Sequence, residues 1–511
     1  MTAERTSFIF PTADGKLDAG ETQSVAEFAA SLRKPGARLL LHLHGGLVDE
    51  QHGRETANRL MGPPPDGWGL SDGWTQAYVV WRTGVWEALR NNWTDLAHND
   101  RLYQIVLRKL MEFVAGKLGV PGAAGRSAAA ATSLTPTEIA KRLRGEGDRR
   151  APFADVDVQV ELATPQGRGP VVAPQADADL GREFRDFLAQ DNEFNSAVND
   201  IDAVVNEAVP GRATVSAGDK ARGEASYRRL DPKVRAPIER LKPDGTVRRS
   251  VAVGVGTFLL RHAMNIARSA FRRFRTHRDH GFHATLVEEV AREMYGDFVG
   301  ATIWGMMVKD AADHFVPGRF GLELLKAIPD DNPVHMVVTA HSAGSIWAAR
   351  MLEAIKATGK PITLSLFLLA PAVRTDLFAE ALDAAGDQVL RCRMFTMTDE
   401  YERKDAVLGH DKGYIYPSSL LYLVSGLFEE SGSEAFPDAP ILGMQRFVEA
   451  AWLNDPKQNA AGKRIADFFQ ERDHAIVYSP APGVTVADTH SGFCSEPLTL
   501  ASVHELMQFR E

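Results

Sequence analysis

The chain has 511 residues, a formal net charge of -9, 44% hydrophobic and 24% charged residues. These are the values of an ordinary globular protein, and so mild an acidity argues against a nucleic-acid partner. Two cysteines, Cys392 and Cys494, exclude a disulfide framework and a CxxC metal or redox pair.

The N-terminus, "MTAERTSFIFPTADGK", carries an early acid and a short apolar patch broken by Pro11, so it does not read as a secretory signal. No apolar run approaches the roughly 18 residues of a spanning helix. The longest, "VAVGVGTFLL" (251–260), stops at Arg261. A cytoplasmic protein is expected. Short apolar runs then recur: "ARLLLHLHGG" (37–46), "AYVVWRTG" (77–84), "VHMVVTAHS" (334–342), "ITLSLFLLAP" (362–371), "LRCRMFTMTD" (390–399) and "HAIVYSP" (474–480). Near-continuous runs of this length suit strands buried on both faces of a parallel sheet. Helical patterns lie between several of them, as at 343–357 and 374–385. Strand alternating with helix predicts an α/β doubly wound, mostly parallel sheet.

From about Trp86 to Asn332 no core strand is legible. A connection this long must carry its own structure. It holds helical patterns at 101–118, 178–208, 250–278 and 284–315, a Gly/Ala/Ser-rich linker at 119–134, and a polar, turn-rich stretch at 209–247. The expected organisation is therefore a core formed by residues 1–86 and 320–511, interrupted by a mainly helical cap or lid at 87–319.

The run "VVTAHSAGS" (337–345) ends a buried strand in a serine between small residues. A nucleophilic serine must stand clear of the backbone, and a sharp strand-to-helix turn achieves this if the positions two away on either side are small. Here they are Ala340 and Gly344. The helix that follows aims its N-terminal amides near Ser342, where negative charge would develop. "LLLHLHGGLVD" (39–49) places His-Gly-Gly after another buried strand. A glycine turn lets backbone N–H groups approach an oxyanion. Gly46 is the candidate donor from this loop, with Leu47 the alternative, and Ala343 is the second donor. His44 is read as orienting the loop.

An acid and then a histidine should follow the serine in the chain. The strand "MFTMTDEYERKD" runs into Asp399, with Asp376 and Asp405 as alternatives. His490, in the loop "DTHSGF", is the candidate base, with His410 its rival. Taken together, "HLHGG", "TAHSAGS", the strand into Asp399 and "DTHSGF" resemble an α/β-hydrolase-fold serine hydrolase over about 37–86 and 320–511. The resemblance implies acyl transfer: Ser342 attacks a carbonyl carbon, His490 takes its proton, Asp399 orients His490, and the amides of Gly46 and Ala343 hold the oxyanion. It implies a small-molecule acyl substrate, a carboxylic ester or thioester, and requires no cofactor or metal. An amidase or serine peptidase would use the same groups. A non-catalytic hydrolase-fold binding protein usually lacks a triad member, whereas here every position is occupied.

Other patterns are given structural readings. "HRDHGFH" (277–283) is read as a solvated polar turn rather than a metal site. The arginine-rich helix at 248–278 suits peripheral contact with an anionic membrane or a protein. It equally suits a cap helix packed on the core with its arginines in water, and that is the expectation here.

Overall fold

The computed structural model describes residues 6–71, 73–81, 84, 86–120, 134–163, 174–205, 216–240, 251–431, 436–449, 456–471 and 473–508. The strands are β1 (Ser7–Ala13), β2 (Lys16–Leu17), β3 (Arg38–Leu43), β4 (Trp74–Trp81), β5 (Val334–His341), β6 (Ile362–Leu369), β7 (Val389–Met397) and β8 (His474–Ser479). They form one sheet in the order β2-β1-β4-β3-β5-β6-β7-β8. Every neighbouring pair is parallel except β1 with β2. The protein is α/β with a mostly parallel sheet, and the six expected runs are β3 to β8.

Alternation along the strands sends successive side chains to opposite faces. Leu39, Leu41, Leu43, Met336 and Val338 join one apolar core, while Leu40, Tyr78, Val337 and Phe367 join the other. Both faces are covered, which is why the strands read as continuous apolar runs. The helix after β3, Glu50–Met61, packs Ala57 and Leu60 on the second face. The helix after β5, Gly344–Thr358, packs Ile346, Trp347 and Leu352 on the first. Two adjacent strands that send their helices to opposite faces open a crevice at their carboxyl ends. The His-Gly-Gly loop and Ser342 flank that crevice.

The β1–β2 hairpin was not among the expected strands. Phe8 and Phe10 are buried edge-on against Phe28, at 5.7 and 5.8 Å between ring centroids. Asp14 and Gly15 turn the chain at φ +50° and +67°, the signs a two-residue hairpin turn needs. Alternating Phe8-Phe10-Thr12 followed by Asp-Gly was the signal. Pro11 obscured it, but β1 has β2 beyond it only at Thr12 and Ala13, so the missing N–H breaks no ladder there.

Between β4 and β5 the described residues form helices and turns, with no strand. Three expectations change in detail. The 178–208 pattern is two helices, Pro174–Ala189 and Asn192–Val205. The 284–315 pattern is broken into Phe282–Met294, Gly296–Val299 and Ala301–Asp313, with Gly300 at φ +119° between the last two. The polar stretch at 209–247 contains helices Ala217–Arg229 and Pro232–Glu239, while residues 209–215 and 241–247 lie outside those described. Most of the 119–134 linker also lies outside them. The helix Val251–Arg275 buries Leu259, Ala263, Ile266, Ala270 and Phe274 within the protein. The arginines of its last turn are paired, Arg273 with Glu288 at 2.5 Å and Arg275 with Asp177 at 2.6 Å, while Arg261 and Arg268 are exposed. Among the described residues no helix is long and apolar enough to cross a membrane.

The segment 277–283 is not the solvated turn expected. His280 and His283 are both buried, His280 stacked on Tyr422 and His283 against Phe153. Neither ring nitrogen of His283 has a hydrogen-bond partner among the described residues, and burial pushes its pKa down to about 3. Unfolding returns it to about 6.5. The unfolded chain therefore takes up a proton that the folded one refuses, so this contribution is whole above about pH 6.5 and is lost as the pH falls towards 3. Between pH 7.5 and 5 that one group should cost about 2 kcal/mol. Urea unfolding of His283→Phe at both pH values should show a pH penalty smaller by that amount; an unchanged penalty would show that His283 is not held neutral.

Candidate active site

Ser342 follows the last residue of β5 and has φ +50°, in the left-handed region that costs a non-glycine residue about 1–3 kcal/mol. Its main chain is pinned on both sides. Its N–H donates to Leu369 O at 2.9 Å. Its carbonyl accepts from the Ser345 and Ala372 N–H groups, both at 3.0 Å, and from Ser345 Oγ at 2.5 Å. Ser345 Oγ in turn accepts from Val373 N–H at 3.0 Å. The end of β6 thus clamps the turn. Sequence reasoning missed Ser345; the second serine of "HSAGS" was the available signal.

The small flanking residues have the expected reason. A Cβ on Gly344 would lie 2.5 Å from Leu43 O and 2.8 Å from His44 O. Ala340 is buried in β5, paired with Leu43 on one side and Leu368 on the other. The elbow therefore rests directly on the backbone of the β3 loop. There His44 Nδ1 donates to Gly45 O at 2.6 Å, and Trp81 Nε1 donates to His44 O at 3.3 Å. His44 is buried, and burial brings its pKa down to about 4, so it orients the loop as a neutral ring. A Cβ on Gly46 would lie 2.9 Å from Ala343 Cβ, which puts the two expected oxyanion residues side by side. Neither the Gly46 nor the Ala343 N–H donates a hydrogen bond to another described residue.

His490, 148 positions from Ser342 in the chain, places Nε2 2.8 Å from Ser342 Oγ. Burial, with His341 beside it, holds its pKa well below the usual value, so the ring is neutral and can accept a proton. The rival His410 is exposed.

The structure does not bring Asp399 to His490. Its carboxylate accepts from Tyr422 Oη, pairs with Arg403 Nε at 2.9 Å and lies 3.7 Å from Arg446 Nε. Burial opposes its charge, but Arg446 and Arg403 outweigh that and keep its pKa below the ordinary carboxylate value. The short helix Asp399–Lys404 turns the chain away after β7, so an acid at the strand end faces those arginines. Asp376 pairs with Arg374. Of the three acids considered, Asp405 is the one that meets His490: Asp405 Oδ2 accepts from the His490 main-chain N–H at 2.9 Å. Burial raises its pKa, with that N–H partly offsetting the effect. His490 Nδ1 has no hydrogen-bond partner among the described residues.

The pair is enclosed. Ser342 is 1% exposed and His490 6%. A cavity of about 470 Å³ between the insertion and the β7 loop is lined by Asp399, Arg403, Arg446, Asp157 and Phe282, and does not include Ser342. The insertion reaches the site through Met307, whose Sδ would lie 2.5 Å from a Cβ on Gly46. No group of three or more His, Cys, Asp or Glu among the described residues is placed to hold a metal ion.

Because both neighbours of Gly344 are backbone carbonyls, Gly344→Ala cannot be relieved by a rotamer change. Overpacking of this kind costs about 1–3 kcal/mol. Chemical denaturation should show that loss, and an unchanged midpoint would contradict the close approach. Comparison of the chain with protein-family models, with characterised proteins and with solved structures finds no match.

Proposed function

We propose that the chain is a serine hydrolase of the α/β-hydrolase type, cleaving a carboxylic ester or thioester through an acyl-enzyme. The observation that carries this reading is the 2.8 Å contact between His490 Nε2 and Ser342 Oγ, with the serine raised on a left-handed turn. Ser342 Oγ attacks the carbonyl carbon as its proton passes to His490 Nε2. The carbonyl oxygen becomes an oxyanion facing the N–H groups of Gly46 and Ala343. His490 returns the proton to the leaving alcohol or thiol. Water then attacks the acyl-serine, losing its proton to His490, which passes it to Ser342 Oγ as the acyl C–O bond breaks and the acid leaves. We assign the third role to Asp405 in place of Asp399, because Asp405 is the carboxylate that contacts the His490 residue.

Three substitutions test the assignment. Ser342→Ala should abolish labelling by a small fluorophosphonate and lower ester turnover by roughly 10⁴–10⁶. Asp405→Asn, which removes the charge held on the His490 main-chain N–H while its amide oxygen can still accept, should lower turnover by about 10–100-fold. Asp399→Asn should weaken folding more than turnover. Persistent labelling of Ser342→Ala defeats the whole reading; a silent Asp405→Asn with a severe Asp399→Asn defeats the acid assignment alone.

The enclosed serine supports a gating role for the insertion. Of the apolar residues on the insertion's helices, Met306 is 59% exposed, Phe271 packs on Phe113, and Phe258 packs beneath Arg261. None of these contacts involves the site. Met307 touches its loop instead. Across a panel of p-nitrophenyl esters, Met307→Ala should shift the preferred acyl length while Met306→Ala leaves it unchanged. Identical profiles for both variants and the parent would remove helix Ala301–Asp313 from the substrate path.

A further inference from the structure

We infer that His341 is a positioning residue for this reaction: its imidazole, inserted between the Gly45 turn and the His490 loop, fixes the main chain of the base so that Nε2 meets Ser342 Oγ. The inference rests on the proposed roles of Ser342 and His490. It starts from strand geometry. His341 is the last residue of β5, and its side chain points to the opposite side of the strand from Ala340. Its Nε2 lies 3.1 Å from the carbonyl oxygen of His490. A carbonyl only accepts, so the proton sits on Nε2. The two imidazoles pack with centroids 5.3 Å apart at 42°. On its other side, His341 Nδ1 would lie 2.8 Å from a Cβ on Gly45. Gly45 is thus required to make room for this ring, which explains the first glycine of His-Gly-Gly without reference to an oxyanion.

The consequence concerns the base. The His490 N–H is held by Asp405 and its C=O by His341, so both main-chain polar groups of the residue are fixed by side chains from other elements. With the peptide groups on both sides of His490 held, its Cα is fixed between them, and the imidazole keeps its reach to Ser342. An apolar residue at 341 would fill the space but leave the buried carbonyl without this donor.

The test compares His341→Leu, His341→Asn and His341→Gln with the parent. The Gln amide nitrogen extends as far as Nε2 and can donate to the His490 carbonyl; the Asn amide reaches only as far as Nδ1. The readouts are the second-order rate of labelling by a small fluorophosphonate, kcat and KM on p-nitrophenyl acetate, and the thermal midpoint. A misplacement near 1 Å can cost on the order of 10²-fold, so Leu and Asn should slow labelling and kcat by about 10–100-fold with KM nearly unchanged, while Gln restores most of the rate. Parent-like rates in folded His341→Leu, or Gln as slow as Asn, would overturn the inference. If His341→Leu fails to fold, the Asn–Gln comparison decides. Ser342→Ala run alongside separates the two failures. If it still labels, the hydrolase reading falls and takes this inference with it; if it is unlabelled and His341→Leu is at parent rate, only the inference falls.

Discussion

The carboxyl edge of the sheet is organised by one close approach: the helix after Ser342 sits on the carbonyls of Leu43 and His44, with only a hydrogen atom of Gly344 between them. That contact forces the turn to be tight, which puts Ser342 at positive φ. The strained residue is then held by bonds from three others, Leu369, Ala372 and Ser345. The same contact brings Gly46 against Ala343, with a Cβ on Gly46 2.9 Å from Ala343 Cβ. Strain at the serine and proximity of the loops are two results of one packing constraint.

A second constraint joins the insertion to the rest. Glu288, completely buried, meets Arg273 at 2.5 Å, Tyr416 Oη at 2.5 Å and His280 Nε2 at 3.0 Å. Burial opposes its charge, but His280, Arg273 and Tyr416 outweigh that and bring its pKa down to about 2. The segment Val424–Phe428 closes over it, and a Cβ on Gly426 would lie 2.0 Å from Glu288 Oε2. Tyr422, stacked on His280, donates to Asp399. Asp399 therefore belongs to the joint between insertion and core. Removing one member of such a buried set strands the others without partners, at a cost of about 3–5 kcal/mol.

Much was legible in the chain order. Strands buried on both faces have no polar period to disguise them, so β3 to β8 stand out as apolar runs. Small residues around Ser342 and the glycines of the β3 loop carry local steric requirements, and local requirements are written in adjacent residues. The helix 251–275 shows its apolar face by spacing alone. The β1 strand was hidden by Pro11, whose tolerance depends on a neighbour being absent beyond it.

Tertiary structure decided what depends on partners distant in the chain. Asp399 and Asp405 both follow β7, and nothing in the sequence says that Arg403, Arg446 and Tyr422 claim the first while the second meets His490. His280 and His283 look like surface residues beside arginines and an aspartate; Phe153, Tyr422 and Glu288, brought from elsewhere, bury them. His341 looks like one more strand residue until the His490 loop, 149 positions away, sets its carbonyl against the ring. Sequence reports the space a residue needs from its immediate neighbours. The direction of a carboxylate or an imidazole is set by groups of opposite charge or hydrogen-bonding character, and only folding brings those together.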